Sequence, residues 1–311
     1  MAHNKLKVFS GSANQNLTKE ICNFLKLPMS NLEISRFQDK ETCIKILENV
    51  RGCDVFIVQP ISSPANENLM ELLIIIDALR RASAERITAI ISYYGYSRQD
   101  RKVEPRVPIT AKLVANLLTV AGVDRILTLD LHAGQIQGFF DIPVDHLFVR
   151  PIIVNYFKKK KLTNVTVVSP DAGGVERARS FAKRIKAELA IIDKRRISPD
   201  KAAVMHIVGD IKNKNIIIVD DMIDTAGTLV KVAQALKEAG AADIYAASAH
   251  GIFASDAYEK IEKSEIKEVV VSNSIYIKSM SKKIKILSIG KLLADAVLRI
   301  HNDKSVSELF V

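Results

Sequence analysis

Seven short runs of β-branched and other apolar residues alternate with helical patterns along the chain, and this alternation limits the possible folds more than any other feature. The runs occupy residues 6–9, 54–58, 87–91, 125–129, 165–168, 216–219 and 244–247. Parallel neighbouring strands need a long crossover between them, usually a helix, so this order is typical of them. The sequence therefore predicts an α/β fold with largely parallel sheets.

One strand–helix unit occurs twice. Residues 54–60 and the helical pattern after them resemble residues 215–221 and the pattern that follows there. The first copy has Gln59-Pro60 where the second has Asp220-Asp221. We therefore predict two similar domains, 1–147 and 148–311, of which the first has lost the ligand-binding acids.

The second copy carries the most informative chemistry. Its buried strand leads into the acid pair and then, through a predicted loop of about nine residues, into a helix. Small residues at 225–228 leave room for an anion to approach backbone N–H groups, Gly227 permits a positive φ, and a helix start adds partial positive charge. Asp220 and Asp221 would repel a phosphate, so we expect them to accept hydrogen bonds from sugar hydroxyls or to help hold Mg²⁺. A phosphorylated sugar satisfies both halves of this pattern.

Two other interpretations of the acid pair were considered. Acids often end the strands of α/β sheets, where Asp and Thr merely cap the next helix, and the pair alone does not decide against that role. A magnesium-binding strand of a P-loop ATPase is excluded, because no G-x-x-x-x-G-K-[ST] motif is present and Gly290-Lys291 is followed by Leu292.

Composition narrows the class of protein. The 311 residues are 48% hydrophobic and 26% charged, which suits a globular chain of two domains. The net charge of +10 fits either nucleic acid or small polyanionic substrates. There is no tryptophan, and the densest basic run, residues 158–161, lacks interleaved aromatics for base stacking. We therefore predict no nucleic-acid partner.

Cysteine content and hydropathy bear on location. Cys22, Cys43 and Cys53 form neither a C-x-x-C pair nor an even set, so no disulfide framework or zinc site is indicated. Apolar stretches are too short to cross a bilayer, and the polar N-terminus lacks a secretory apolar core. The sequence predicts a cytoplasmic protein without a membrane partner.

Five further polar clusters fall in predicted loops at strand ends, where α/β proteins bind ligands. They are residues 36–41, 93–101, 130–133, 169–174 and 193–196. Each has a plainer interpretation: His132 as a structural histidine, residues 171–174 as a simple turn, and residues 194–196 as solvated charge.

Taken together, these segments resemble the ribose-phosphate pyrophosphokinase family from about residue 6 to residue 310. The most specific matches are residues 68–73, 93–101, 130–133 and 219–228. The resemblance implies two phosphoribosyltransferase-type domains, each a largely parallel sheet flanked by helices. It also implies that domain 1–147 binds ATP and carries regulatory and assembly surfaces, while 148–311 binds ribose 5-phosphate and lends its last residues to the regulatory site.

The family reaction transfers the β,γ-diphosphoryl group of Mg-ATP to the C1 hydroxyl of ribose 5-phosphate, giving 5-phosphoribosyl 1-diphosphate and AMP for nucleotide biosynthesis. For the sugar phosphate the resemblance assigns Arg196, Asp220, Asp221, Asp224, Thr225, Ala226, Gly227 and Thr228. It makes Lys194 and Arg196 the catalytic pair on a mobile loop, which we hypothesise closes only when both substrates are bound.

For ATP the resemblance assigns Phe37, Asp39, Lys40, Glu41, Arg98 and Gln99. In this family the Phe37 loop comes from a neighbouring subunit, which implies a homo-oligomer of dimers that assemble to a hexamer. His132 and Asp171 match the magnesium positions, so Mg²⁺ is the implied cofactor.

Regulation by inorganic phosphate and ADP is implied by a further set of matches: Asn49, Arg51, Arg106, Ser305, Ser307 and Phe310. Three positions depart from the family pattern. Lys40 replaces a common Gly, Asn49 replaces the Ser of phosphate-activated members, and Pro105 stands where Ser is frequent. Asn49 can still donate a hydrogen bond to a phosphate oxygen, so we expect phosphate activation.

Two alternative functions stay open at the level of sequence. A non-catalytic regulatory relative would be favoured by loss of the Lys194 loop or of His132, and both are present. A phosphoribosyltransferase would use a similar acid-rich loop but would not need the ATP elements around Phe37 and Arg98. The sequence assigns no group to the deprotonation of the C1 hydroxyl.

Overall fold

The computed structural model describes residues 5–195, 204–278 and 281–310; for Lys194, Arg195, Val204, Met205 and Phe310 only the backbone is described. The chain divides into two compact units. Unit 1 comprises Met1–Phe148, Ser274–Tyr276 and Ser288–Val311, and unit 2 comprises Val149–Asn273 and Ile277–Leu287.

Unit 1 contains a five-stranded parallel sheet and a separate hairpin. The strands of the unit are β1 (Leu6–Ser10), β2 (Leu32–Arg36), β3 (Thr42–Ile46), β4 (Asp54–Val58), β5 (Arg86–Ile91), β6 (Arg125–Leu129) and β7 (Val144–Leu147). The parallel sheet has the order β1-β4-β5-β6-β7, while β2 and β3 form a separate antiparallel hairpin. All five residues of β4 are buried, as expected for a strand covered on both faces.

The sheet of unit 1 is flanked by helices α1 (Gln15–Leu25), α2 (Ala65–Arg81) and α3 (Thr110–Ala121), with a 3₁₀ turn at Gly134–Phe139. Helix α2 buries Leu69, Leu72, Ile76 and Leu79, which recur at the three- and four-residue spacing of one helix face. The apolar periodicity of this segment predicts the helix and a buried stripe of Leu69, Leu72, Leu73 and Ile76, of which Leu73 is only partly buried.

Unit 2 contains a seven-stranded sheet of order β10-β9-β8-β11-β12-β13-β14. The strands are β8 (Val165–Ser169), β9 (Glu188–Arg195), β10 (Val204–Val208), β11 (Asn215–Ile223), β12 (Ile244–Gly251), β13 (Ile266–Ser272) and β14 (Ile284–Leu287). All pairings are parallel except that of β10 with β9. Helices α4 (Arg150–Lys160), α5 (Val175–Ile185), α6 (Gly227–Glu238) and α7 (Ala257–Lys263) accompany this sheet.

Helix α8 (Gly290–His301) follows unit 2 in sequence but belongs to unit 1. Its end is fixed by the buried carboxylate of Asp54, which accepts hydrogen bonds from Arg86 Nε at 2.9 Å and Nη2 at 2.6 Å. His301 Nδ1 lies 2.8 Å from the same carboxylate, and Arg86 Nη2 also donates to the Ile300 carbonyl at 3.0 Å. A short 3₁₀ turn at Ser307–Phe310 follows the helix.

The predicted α/β class is confirmed: both sheets are flanked by helices, and each of the seven predicted runs lies in a strand. The β2–β3 hairpin, β7, β9, β10, β13 and β14 were not predicted. Several of them are short or only half-buried, so their apolar pattern is weak.

None of the helices in the described part of the chain combines the length and hydropathy that a bilayer crossing requires.

Candidate functional site

The acid pair lies within strand β11 and not in a loop, which corrects the predicted connection of about nine residues. The strand continues to Ile223 because Met222 and Ile223 still pair with His250 and Gly251 of β12. Helix α6 begins at Gly227, so only residues 224–226 connect the two elements. Asp220 and Asp221 are therefore fixed by the sheet.

The start of α6 leaves backbone amides open to a ligand. Ala226, the residue before the helix, takes the left-handed conformation with φ 57°, and its side chain is buried. Gly227 has no positive φ, so the prediction for that residue was wrong. Its missing side chain matters in another way, since a Cβ there would approach only Thr225 Oγ1, at 3.9 Å.

No side chain caps the N-terminus of α6. The first N–H groups of a helix have no partner within the helix, and together with the helix dipole they favour an anion. Lys260 of α7 donates to the Thr225 carbonyl at 3.4 Å and is paired with Asp256 at 2.7 Å. The connection 224–226 and the first turn of α6, which includes Thr228, thus form an uncapped turn of mostly small residues that follows the acid pair.

Arg177 of α5 lies between the two acids. Its Nη1 atom is 3.4 Å from Asp220 Oδ1 and 3.5 Å from Asp221 Oδ1. The Asp221 carboxylate is nearly inaccessible, with 4% of its side chain exposed, whereas Asp220 keeps 31%. Asp220 Oδ1 also accepts a hydrogen bond from the Asp221 N–H at 2.9 Å. Asp220 is therefore the member of the pair that a ligand can reach.

The two carboxylates strongly influence each other's protonation. Burial, and then the neighbouring carboxylate of Asp221, raise the pKa of Asp220 to about 8, while Arg177 opposes the rise. Near neutral pH the pair is thus able to share a proton, as close carboxylates do. Hydroxyl groups of a ligand would add donors to those that Arg177 and the Asp221 N–H already supply to Asp220.

The turn between β8 and α5 carries Asp171, a predicted magnesium residue. Asp171 is exposed, and its Oδ1 accepts a hydrogen bond from the Gly174 N–H at 2.9 Å. Ser169 Oγ donates to the Asp171 carbonyl at 2.7 Å, which closes the turn. A Cβ at Gly174 would lie 2.9 Å from Ser169 Oγ, so this turn requires the glycine.

The predicted ATP residues near position 40 lie on the turn of the β2–β3 hairpin in unit 1. Phe37 is 59% exposed, which is unusual for a large aromatic side chain. Lys40 takes a φ of 75°, which is consistent with the Gly that the resemblance implied there. Asp39 accepts a hydrogen bond from the Glu41 N–H at 3.1 Å. The hairpin thus presents Phe37, Asp39, Lys40 and Glu41 together on one exposed turn.

The other predicted unit 1 residues lie in exposed loops after β5 and β6. Arg98 and Gln99 are exposed, and Gln99 is held through its backbone to Tyr96 and Ala111 and through its side chain to Thr110. His132 is exposed immediately after β6.

Among the described residues, no group of three or more His, Cys, Asp or Glu side chains is arranged to hold a metal ion. His132 belongs to unit 1 and Asp171 to unit 2, and both are exposed.

The predicted catalytic pair falls largely outside the described residues. Lys194 is placed by its backbone only, at the end of β9 opposite Met205, and Arg196 lies outside the described part of the chain.

The predicted regulatory residues form two local groups in unit 1. Asn49 Oδ1 accepts a hydrogen bond from the Arg51 N–H at 3.0 Å. Ser305 Oγ donates to Ser307 Oγ at 2.9 Å and accepts from the Ser307 N–H at 3.1 Å. Arg106 is exposed with a φ of 66°, and Phe310 is placed by its backbone alone.

Arg177 was not identified from the sequence. The available signal was its place as the third residue of the helix that follows residues 171–174. That helix comes after strand β8, which could lie next to the strand that carries the acids. The adjacency of β8 and β11 is what makes that place informative, and it is known only from the sheet order.

Paired acids beside an uncapped helix start fit the class of α/β proteins that hold a phosphate at a helix N-terminus. Comparison with known proteins identifies the group within this class. Residues 6–122 match the family model described as the N-terminal domain of ribose phosphate pyrophosphokinase, and residues 194–311 match the phosphoribosyl synthetase-associated domain.

Individual relatives agree over nearly the whole chain. The ribose-phosphate pyrophosphokinase of Wolinella succinogenes is 53% identical over 98% of this chain and 99% of its own, and that of Clostridium tetani is 54% identical over 98% and 97%. The crystal structure of phosphoribosylpyrophosphate synthetase from Mycobacterium smegmatis superposes with a TM-score of 0.92 at 39% identity, covering 96% of this chain and 100% of that one. The chain belongs to the ribose-phosphate pyrophosphokinase family. A phosphoribosyltransferase or a non-catalytic relative is not favoured.

Proposed function

We propose that this chain transfers the β,γ-diphosphoryl group of ATP to the C1 hydroxyl of ribose 5-phosphate, yielding 5-phosphoribosyl 1-diphosphate and AMP. The observation that carries the proposal is the uncapped start of α6 at Gly227, a few residues after the Asp220–Asp221 pair. The amides of residues 224–228 bind the 5-phosphate, and Asp220, with Asp221 beside it, accepts hydrogen bonds from the ribose hydroxyls. In the reaction a bond forms between the C1 oxygen and the β-phosphorus, the bond from that phosphorus to the α-phosphate oxygen breaks, and the hydroxyl proton is lost.

ATP binds through the exposed hairpin turn 37–41 and through Arg98 with Gln99. Lys194 and Arg196 stabilise the negative charge that spreads over the equatorial oxygens of the transferred group. Mg²⁺, held by His132, Asp171, substrate phosphates and water, supplies charge neutralisation at the phosphates when bound. The first domain, 1–147, serves ATP binding, regulation and assembly, and 148–311 serves the sugar phosphate.

The proposed reaction is tested by its products. Purified protein is incubated with ribose 5-phosphate, ATP and Mg²⁺, and the nucleotides and sugar phosphates are separated and quantified. We expect AMP and the sugar diphosphate in equal amounts, with no AMP when the sugar phosphate is omitted. Formation of ADP and a sugar bisphosphate would instead indicate transfer of a single phosphoryl group and would refute the proposal.

Inorganic phosphate is the proposed activator and ADP the proposed inhibitor of a homo-oligomer of dimers, up to a hexamer. Support comes from Asn49, Arg51, Arg106, Ser305 and Ser307, which are exposed and carry donors suited to phosphate. We expect the initial rate to rise and then saturate as phosphate is added at constant ionic strength. A rate that does not change over that range contradicts the regulatory assignment and leaves the reaction assignment intact.

A further inference from the structure

Two carboxylates on one strand rarely face the same way. Successive side chains of a strand point to opposite faces, yet Oδ1 of Asp220 and Oδ1 of Asp221 both lie within 3.5 Å of one guanidinium nitrogen. The contact of Arg177 Nη1 with both acids defines where their oxygens point.

Arg177 reaches the acids because of how unit 2 is assembled. Strand β8 pairs with β11 and ends at Ser169, and α5 begins at Val175, six residues later. The third residue of α5 is therefore carried to the adjacent strand end. The 26% exposure of the Arg177 side chain shows that neighbouring residues cover most of it and restrict its conformations.

The Arg177 side chain lies beside the turn that carries Asp171. A Cβ built at Gly174 would be 3.7 Å from Arg177 Nη1 and the same distance from Asp171 Oδ1, which is ordinary van der Waals contact. The turn and the side chain that contacts the acids are thus close neighbours in unit 2.

The contact with Arg177 affects whether the two acids offer a ligand hydrogen-bond acceptors or a donor. Two carboxylates this close repel each other, and a shared proton would turn one acceptor into a donor. The Arg177 guanidinium lowers the pKa of Asp220 against the larger effects of burial and of Asp221, and it contacts the Oδ1 atom of each acid. Asp220, which is partly exposed, is then directed toward a ligand as an acceptor.

We propose that Arg177 is a positioning residue that orients Asp220 and Asp221 so that they accept hydrogen bonds from the hydroxyls of the sugar phosphate. The inference rests on the proposed function, in which these acids bind ribose. Arg177 acts through the acids. Its removal should therefore reduce the part of the binding affinity that depends on the sugar hydroxyls, and not the part that depends on the phosphate.

The test compares Arg177→Met and Arg177→Lys with the native protein by calorimetric titration of ribose 5-phosphate and of 2-deoxyribose 5-phosphate. We expect Arg177→Met to weaken ribose 5-phosphate at least tenfold and the deoxy sugar much less. Arg177→Lys should restore much of the affinity because it returns the positive charge. Equal losses for both sugars, or no loss for ribose 5-phosphate, overturn the inference.

Arg184→Met serves as the matched control, since Arg184 is also on α5 but donates to Ser180 Oγ at 2.9 Å. It should bind both sugars as the native protein does. If Arg177→Met fails to fold, Arg177→Gln takes its place in the same comparison.

Kinetics separate this inference from the proposed function. For Arg177→Met we expect the KM for ribose 5-phosphate to rise far more than the KM for ATP. Native protein that yields no sugar diphosphate contradicts the proposed function. Active native protein with an unchanged KM in Arg177→Met contradicts only the role of Arg177.

Discussion

Asp220 meets two opposing requirements at the scale of a single residue. The proposed binding of sugar hydroxyls needs an ionised acceptor, whereas the surroundings of Asp220 in the free protein favour its protonated form. Burial and the Asp221 carboxylate raise the pKa of Asp220 to about 8, compared with an ordinary value of 3.8. The free site is thus less stable when the pair is fully charged, and a ligand that donates hydrogen bonds relieves that cost.

A pH dependence of stability follows from this raised pKa. Because folding raises the pKa of Asp220, its protonated form favours the folded state, so the contribution is fully present below about pH 4 and is lost as pH rises toward 8. We expect Asp220→Asn to raise the melting temperature relative to the native protein more at pH 8.5 than at pH 5, approximate values chosen to bracket the transition. Thermal melting in both buffers measures this difference.

Asp243→Asn is the control for this experiment, because Asp243 is a surface residue paired with Lys267 at 2.6 Å. Its effect on the melting temperature should be small and should not grow with pH. If Asp220→Asn gives the same shift at both pH values, the raised pKa does not contribute to stability in the way described.

At the scale of elements, a substitution at the start of α6 can weaken ligand binding without destabilising the fold. A Cβ at position 227 would meet nothing closer than Thr225 Oγ1 at 3.9 Å, and alanine favours helices over glycine. We therefore expect Gly227→Ala to fold with an unchanged or higher melting temperature. Its methyl group would occupy the space where the 5-phosphate is proposed to bind, so ribose 5-phosphate should bind at least about tenfold more weakly, or ~1.4 kcal/mol.

Gly138→Ala provides the comparison for Gly227→Ala. A Cβ at Gly138 also enters open space, but in the Gly134–Phe139 turn of unit 1. It should alter ribose 5-phosphate affinity little. Native affinity in Gly227→Ala would show that the phosphate does not lie at the helix start.

Helix α8 depends on a different kind of contact. Asp54 is 2% exposed and is the shared acceptor for Arg86 and His301, so its loss leaves two donors without their charged partner. We expect Asp54→Asn to destabilise unit 1 by about 3 kcal/mol, because breaking a buried charge pair is costly. Chemical denaturation measures it. Asp77→Asn, which removes the exposed partner of Arg81, should destabilise the protein far less than Asp54→Asn, and equal effects of the two substitutions would contradict this expectation.

How far the sequence predicted these elements depends on the range of the interactions. Strand β4 and helix α2 were predicted because burial on both faces and a helical apolar stripe are local patterns. The extent of β11 was not, because residues 220–223 remain in the strand only through pairing with β12. Arg177 was missed for the same reason, since its contact with Asp220 depends on β8 lying next to β11.

At the scale of the whole molecule, charge is divided unevenly between the units. By sequence, unit 2 holds 25 of the 45 Lys and Arg residues and 16 of the 35 Asp and Glu residues, a surplus of nine positive charges in a chain of net charge +10. The unit that contains the proposed phosphate site thus carries nearly all the net charge. A positive field of this kind attracts anionic substrates and is screened by salt.

The exposure of Phe37 bears on how subunits of this protein assemble. With 59% of its surface accessible on a hairpin turn, Phe37 is suited to contact a ligand or partner outside its own unit. In the proposed oligomer it stacks on ATP bound to a neighbouring subunit. When each variant is expressed by itself, Phe37→Ala and Lys194→Ala should both reduce turnover by orders of magnitude. Lys194→Ala should still bind ribose 5-phosphate nearly as the native protein does.

Co-expression of these two variants tests whether the site is shared. A Phe37→Ala subunit keeps its own Lys194 and can receive Phe37 from a Lys194→Ala neighbour, so mixed assemblies contain complete sites. In randomly formed two-fold dimers about a quarter of all sites are complete, which sets the expected recovery of turnover. A chain with both substitutions provides the baseline, because no mixing can complete its sites. If differently tagged subunits co-purify but turnover stays at that baseline, Phe37 serves its own subunit, and the active unit does not require a neighbour's hairpin.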